Sequence, residues 1–219
     1  MTSFPGSPHI LKGGIVLIDP ESAAVLRVIA LQYNPDSLTR SLQVQPVSAD
    51  GGDRSELLRL KGPPVETLKL EAEVDAADQL EFPDRNAGVV QNGLFAQLAA
   101  LETMVYPTSA QLRSNDALAQ GGTLEIVPME TPLALFVWSA ARILPVRVTE
   151  FSITEEAFDT ALHPIRAKVS IGLRVLSVND VPSGHKAAGL FMNYLQQKER
   201  LAAAAASQPL STLGMTGVP

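Results

Sequence analysis

Ile165-Arg166-Ala167-Lys168-Val169-Ser170-Ile171-Gly172-Leu173-Arg174-Val175-Leu176 sets Ile165, Ala167, Val169, Ile171, Leu173 and Val175 on one side and Arg166, Lys168, Ser170, Gly172 and Arg174 on the other. A period of two held this long is the signature of a strand with one buried face. Glu66 to Asp75 repeats it, with Leu68, Leu70, Ala72 and Val74 against Lys69, Glu71, Glu73 and Asp75. The polar face of the second segment is mostly acidic and that of the first is basic. They could therefore pair across a sheet or across a subunit boundary, or stand as two solvated faces, since exposed ion pairs contribute little energy.

Outward from these segments the same reading gives further strands. Pro145 to Thr154 changes its alternation phase between Val148 and Phe151, as a β-bulge would. Leu133 to Ser139 and Thr123 to Pro128 precede it. Near the N-terminus, Ile15 to Ile18 is an apolar run stopped by Asp19-Pro20, and Val25 to Tyr33 runs into the turn Asn34-Pro35-Asp36. Ser37 to Gln45 then alternates with Leu38, Leu42 and Val44 on one face. Arg40 intrudes on that face, which places this end at a sheet edge or an interface. Pro46 to Pro64 is too long for a tight hairpin, and loops of such length are usually functional or ordered by a partner.

Two segments carry the helical period. Asn92 is placed to cap a helix over Gly93 to Val105, with Leu94, Leu98, Leu101 and Val105 as its apolar stripe and Tyr106-Pro107 as its end. From Ala187 onward Leu190, Phe191, Tyr194, Leu195 and Leu201 share a face, followed by the run Ala202 to Ala206 and a Pro, Gly and Ser tail. About eight strands with one internal helix and one C-terminal helix predict a mainly β chain, an antiparallel barrel or rolled sandwich. The expected division is a β-domain over residues 1–180 and a C-terminal amphipathic helix with tail over 181–219.

Composition narrows the function. The 219 residues are 46% hydrophobic but only 5% aromatic, so the core is filled by aliphatic side chains and a ring-lined cofactor pocket is disfavoured. A formal net charge of −6 without a basic run argues against nucleic-acid binding. The chain has no cysteine, which removes disulfides, thiolate metal ligands and a Cys nucleophile. Met1 to His9 has no basic region leading into an apolar stretch, so no secretory signal is expected, and no run reaches the roughly 18 apolar residues of a membrane span. Synthesis in the cytoplasm is the expectation.

Chemistry-bearing motifs are sparse. His9, His163 and His185 fall in turns or tails, without a second His at metal-ligand spacing. Gly13-Gly14, Gly51-Gly52 and Gly121-Gly122 lack the Lys-Ser/Thr of a phosphate loop, and there is no Gly-x-Ser-x-Gly elbow. Glu155, Glu156 and Asp159 form the one tight acidic cluster after a strand. Paired carboxylates of this kind can do acid-base work or hold a divalent cation, but a solvated turn capped by Thr154 accounts for them as well. No enzyme activity, cofactor or metal is expected.

Several segments resemble one family. Tyr33-Asn34-Pro35-Asp36-Ser37-Leu38-Thr39-Arg40-Ser41, Leu60-Lys61-Gly62-Pro63-Pro64-Val65-Glu66-Thr67-Leu68, Leu98-Ala99-Ala100-Leu101-Glu102 with Tyr106-Pro107, and Pro145 through Asp159 on to Leu162, Pro164-Ile165-Arg166-Ala167 and Leu173-Arg174-Val175-Leu176 are similar, in order and spacing, to the tube-domain proteins in baseplates of contractile injection systems, which are phage tail-like machines. The resemblance spans roughly residues 10 to 180. It implies a phage tail-tube-like β-barrel with a flanking helix, a structural baseplate component that assembles as a homo-hexameric ring joining the spike hub to the inner tube. A phage or tailocin tail-tube protein is the neighbouring alternative, and a monomeric ligand-binding β-barrel the alternative from a different class.

Longer members of that family carry a LysM-like module after the tube domain. This chain continues instead into its Ala-rich helix, so a peptidoglycan contact is not carried over. The implied partners are the tube, spike hub and other baseplate proteins, with no nucleic acid and no membrane insertion. Assembly is expected in the cytoplasm, the final location of the particle being left open. The candidate assembly contacts are Arg40, Arg59, Glu71, Glu73, Arg166, Lys168, Arg174, Phe191 and Tyr194. The Pro46 to Pro64 loop is expected to meet a neighbouring ring, and Ala187 to Ala206 another baseplate or sheath component.

Overall fold

A computed structural model describes residues 11–47, 59–122, 131–205 and 207–218. The strand expected over Thr123 to Pro128 lies outside them. Seven strands form one sheet: β1 (Gly14–Ile18), β2 (Val25–Ala30), β3 (Leu38–Gln43), β4 (Val65–Asp75), β5 (Leu133–Ser139), β6 (Arg142–Phe158) and β7 (Pro164–Val175). The order is β2-β1-β5-β6-β7-β4-β3 and each neighbouring pair is antiparallel.

The expected barrel is corrected to an open sheet: β2 and β3, adjacent in sequence, are its two edges and do not pair with one another. The sheet is nonetheless rolled. Gln32, two residues past the end of β2, hydrogen-bonds the backbone of Asp75 at the end of β4. In a flat sheet those strands, five positions apart, would be separated by about 24 Å at ~4.8 Å per strand. No side chain spans that, so the edges must curl toward each other.

One face of the roll is filled by the alternating residues read from the sequence. Leu68, Leu70, Ala72 and Val74 of β4 and Val169, Ile171 and Leu173 of β7 form one core with Ile15, Leu17, Phe136, Leu144 and Val146. The bulge stands where the alternation changes phase: the β6–β7 register shifts between Val148 and Glu150. Gly172 faces it, because a Cβ there would lie 2.9 Å from the Cβ of Glu150 and 3.3 Å from Thr149 Oγ1.

Between β4 and β5 the chain is more broken than the single helix expected at Gly93 to Val105. Among the described residues four α-helices appear, α1 (Ala77–Leu80), α2 (Ala87–Asn92), α3 (Phe95–Glu102) and α4 (Ser109–Gln120), with a 3-10 turn at Pro83–Arg85. Asn92 closes α2 rather than capping α3, and Gly93 breaks the run at φ 55°, with no room for a Cβ against the Pro164 carbonyl. The apolar stripe survives the break, since Leu94, Leu98 and Leu101 are buried in the main core while Val105 is exposed. α4 starts at a capping box between Thr108 and Gln111 and buries none of its residues.

The last helix, α5 (Lys186–Ala204), is capped by His185, whose Nδ1 accepts from the Ala187 N–H. Phe191 and Tyr194 enter the main core, and Ala187 joins a smaller cluster with Ile18 and Leu133. Among the described residues no helix is long and apolar enough to cross a membrane.

Candidate assembly surfaces

The two sheet edges differ in chemistry. β2 leaves Val25 62%, Leu26 56% and Val28 64% exposed, three large apolar side chains on a strand that among the described residues is paired on one side only. A cleft of about 500 Å³ opens beside it, floored by Ile29, Leu31, Val74 and Leu101 and rimmed by Lys12, Arg27, Glu73 and Asp78. At the other end β3 pairs, among the described residues, with β4 alone and exposes mostly polar side chains, Thr39, Arg40, Ser41 and Gln43, with Leu42 at 44%. Arg40 at an edge is what its intrusion on the apolar phase implied.

The charge contrast between the two clearest strands is resolved inside the protomer. β4 and β7 are neighbours, with Glu73 opposite Lys168 and Asp75 opposite Arg166. Arg166 Nε donates to Asp75 Oδ2 at 2.8 Å, Lys168 Nζ lies 3.4 Å from Glu156 on β6, and Lys69 Nζ is 2.7 Å from Glu150. Arg174 Nη2 donates to Asp180 at 2.6 Å, and the other oxygen of Asp180 takes the Ser177 N–H and Oγ–H. Glu71 and Glu73 are exposed at the flank of β4.

Arg59 lies where the long loop leaves the sheet. Its carbonyl accepts from the Val47 N–H, Pro46 bridges to Leu60, and Lys61 N–H reaches the Gln45 carbonyl, so the described base of that loop is a two-stranded ribbon. Phe191 and Tyr194 sit inside the protomer. Tyr194 leads to a residue that the sequence reading left out. Its hydroxyl donates at 3.0 Å to Oε1 of Glu66, whose side chain is 4% exposed. Lys198 Nζ donates to Oε2 at 2.9 Å, and Arg40 Nε stands 3.8 Å away. Two predicted contacts, Arg40 and Tyr194, thus meet on one buried carboxylate. The signal for it was present: Glu66 falls on the apolar phase of β4 as Arg40 does on that of β3.

Of the acidic cluster expected after a strand, Glu155 and Glu156 lie within β6 and Asp159 alone follows it, serving the hairpin. Asp159 Oδ1 accepts from the backbone N–H of Ala161 and of His163, and Oδ2 lies 2.9 Å from His163 Nδ1. These bonds, the His163 backbone N–H foremost, hold the Asp159 carboxyl below its ordinary value. They fix a turn in which Leu162 takes positive φ, as Ala157 does within the end of β6. Glu156 is engaged by Lys168, and no group of acidic or His residues with metal-binding geometry occurs among the described residues.

No family model matches the chain, and neither does any curated protein. Among solved structures it is similar to a chain from the tail of an empty gene transfer agent particle, at 11% identity and a TM-score of 0.28, covering 75% of this chain and 90% of that one. A chain from the virion of a native gene transfer agent particle follows at 10% identity and a TM-score of 0.27, covering 74% and 90%. Both come from gene transfer agent particles. At such TM-scores the likeness carries no inference about this chain.

Proposed function

We propose that this chain is a structural subunit of a phage tail-like particle, a baseplate component of a contractile injection system that assembles as a ring between spike hub and inner tube. The observation that carries it is the pair of unlike edges on one rolled sheet, each paired on one side only among the described residues. A head-to-tail ring needs two different complementary surfaces on each subunit, and strand pairing supplies both hydrogen bonds and register. Exposed apolar residues on an edge strand are otherwise an aggregation hazard that a partner must cover. The segment-by-segment resemblance in the sequence supports the same reading and adds the expectation of a six-fold ring assembled in the cytoplasm.

The test is co-expression with the tube and hub proteins of the same particle, followed by negative-stain imaging of the purified complex. Six-fold rings that contain this chain support the proposal. A chain that stays monomeric and fails to co-purify with either partner overturns it, and a small molecule retained in the β2 cleft of such a monomer would favour the ligand-binding alternative.

A further inference from the structure

We infer that Glu66 is a latch through which the free edge of β3 and the docked position of α5 are coupled. The carboxylate is withdrawn from water on the core-facing phase of β4, so its charge is met by protein groups or not at all. Three groups meet it, and they come from two different elements. α5 contributes the Tyr194 hydroxyl at 3.0 Å and the Lys198 ammonium at 2.9 Å. That ammonium also lies 4.1 Å from the centre of the Tyr194 ring, so the two α5 ligands support each other. β3 contributes Arg40, at the longer distance of 3.8 Å.

The Arg40 leg is the adjustable one. Its side chain is 37% exposed and belongs to a strand whose outer flank has no strand partner among the described residues. A partner strand that adds to β3 brings carbonyl or carboxylate oxygens beside the guanidinium and draws it outward. Glu66 then rests on Lys198 and Tyr194 alone, and α5 is held more tightly. Release of α5 has the reverse effect, leaving Arg40 as the remaining cation and pulling it inward, away from a partner. Coupling of this kind is reciprocal. Edge occupancy and helix docking therefore favour each other, and an assembling ring would fix its C-terminal helices as its edges close.

This rests on the proposed function only in taking β3 to be occupied in the assembly. The latch itself is measured on the isolated full-length chain, so a latch without a ring and a ring without a latch are separate results. Amide hydrogen exchange across residues 191–201 is followed by mass spectrometry in the natural chain, Glu66→Gln, Arg40→Met and the double variant. Glu66→Gln is expected to speed exchange at least tenfold. Lys198→Met, which leaves the core untouched, should do so in the same direction. Arg40→Met should slow exchange in the natural background and have no effect with Glu66→Gln. Unchanged exchange in Glu66→Gln, or an Arg40→Met effect that is accelerating or equal in the two backgrounds, overturns the latch.

Discussion

Gln32, just past edge strand β2, is fastened to Asp75 of β4, one strand in from the other edge, through a side-chain amide that imitates a peptide group: Nε2 donates to the Asp75 carbonyl at 2.7 Å and Oε1 accepts the Asp75 N–H at 3.0 Å. Main-chain pairing is absent here, so this amide supplies the cross-link that a closed barrel would obtain from a ladder. The Asp75 backbone is part-buried, and losing both partners leaves a donor and an acceptor unmet.

Gln32→Ala is accordingly expected to cost about 1–3 kcal/mol. In a domain of this size each kcal/mol lowers the melting temperature by roughly 2–4 °C, so thermal denaturation followed by circular dichroism resolves the effect. A variant that melts with the natural chain would mean that the edges are held together by core packing alone.

Two glycines give a contrast of sign. Gly172 faces the bulge at Thr149, where an added methyl presses on the Cβ of Glu150, a position fixed by the strand rather than the loose end of a side chain. Gly172→Ala is expected to destabilise by about 1–3 kcal/mol as the ladder shifts to make room. Gly189 lies inside α5, and a Cβ there meets nothing within 4 Å. Gly189→Ala should stabilise by about 0.5–1 kcal/mol, through helix propensity and reduced freedom of the unfolded chain. Urea midpoints of the two variants should move in opposite directions, and movement in the same direction would contradict the local geometry at one of them.

The sheet was legible wherever one face meets the core and the other meets water. β4 and β7 follow from alternation alone, and the bulge in β6 from its change of phase. Closure was not legible, because a period of two says which face is buried and nothing about whether the last strand finds the first. The stretch from 77 to 120 misled for a related reason: the stripe Leu94, Leu98, Leu101 is real, yet Gly93 must take a left-handed conformation beneath Pro164, a constraint set by a strand about seventy residues away in sequence. Alternation likewise separated Lys69, Glu71 and Glu73 from the core but could not decide whether their partners lay in the same molecule. Within the protomer Lys69 pairs with Glu150 of β6, and the register with β7 sets Glu73 opposite Lys168. Glu66 escaped notice because a carboxylate on an apolar phase becomes informative only beside the Arg, Tyr and Lys that surround it.

Asp75 and Asp159 contribute to the acid limb of stability, alongside Asp19, whose pKa the Ser22 N–H lowers. Asp75 is held below its ordinary pKa by the Ala77 N–H first and then by Arg166, against the opposing effect of burial. Asp159 is lowered by the His163 backbone N–H and its companions in the turn. A folded pKa below the unfolded one means that the stability contribution is complete above the unfolded value of about 3.9 and is lost as pH falls through the folded value. Stability from these groups should thus be flat from neutrality down to about pH 5 and fall below about pH 4. Asp75→Asn with Asp159→Asn should lower the urea midpoint at pH 6 and flatten its decline toward pH 3. An acid limb as steep as that of the natural chain would assign the loss to other groups.

The edge of β2 gives the prediction that bears most directly on assembly. Val25 and Val28 are exposed, so neither contributes much to the core, and charged residues on edge strands are the usual guard against unwanted pairing. Val25→Lys with Val28→Lys should change monomer stability by no more than about 0.5 kcal/mol per site, as expected of surface substitutions. If β2 is paired in the particle, the same double variant should be absent from purified particles, because each subunit would place two ammonium groups where a partner strand must exclude water. Sedimentation of the co-expressed components separates the outcomes. Normal incorporation of a folded double variant would show that this edge is solvent-facing in the assembly, and would move the search for the contact to β3 and the cleft rim at Glu73 and Asp78.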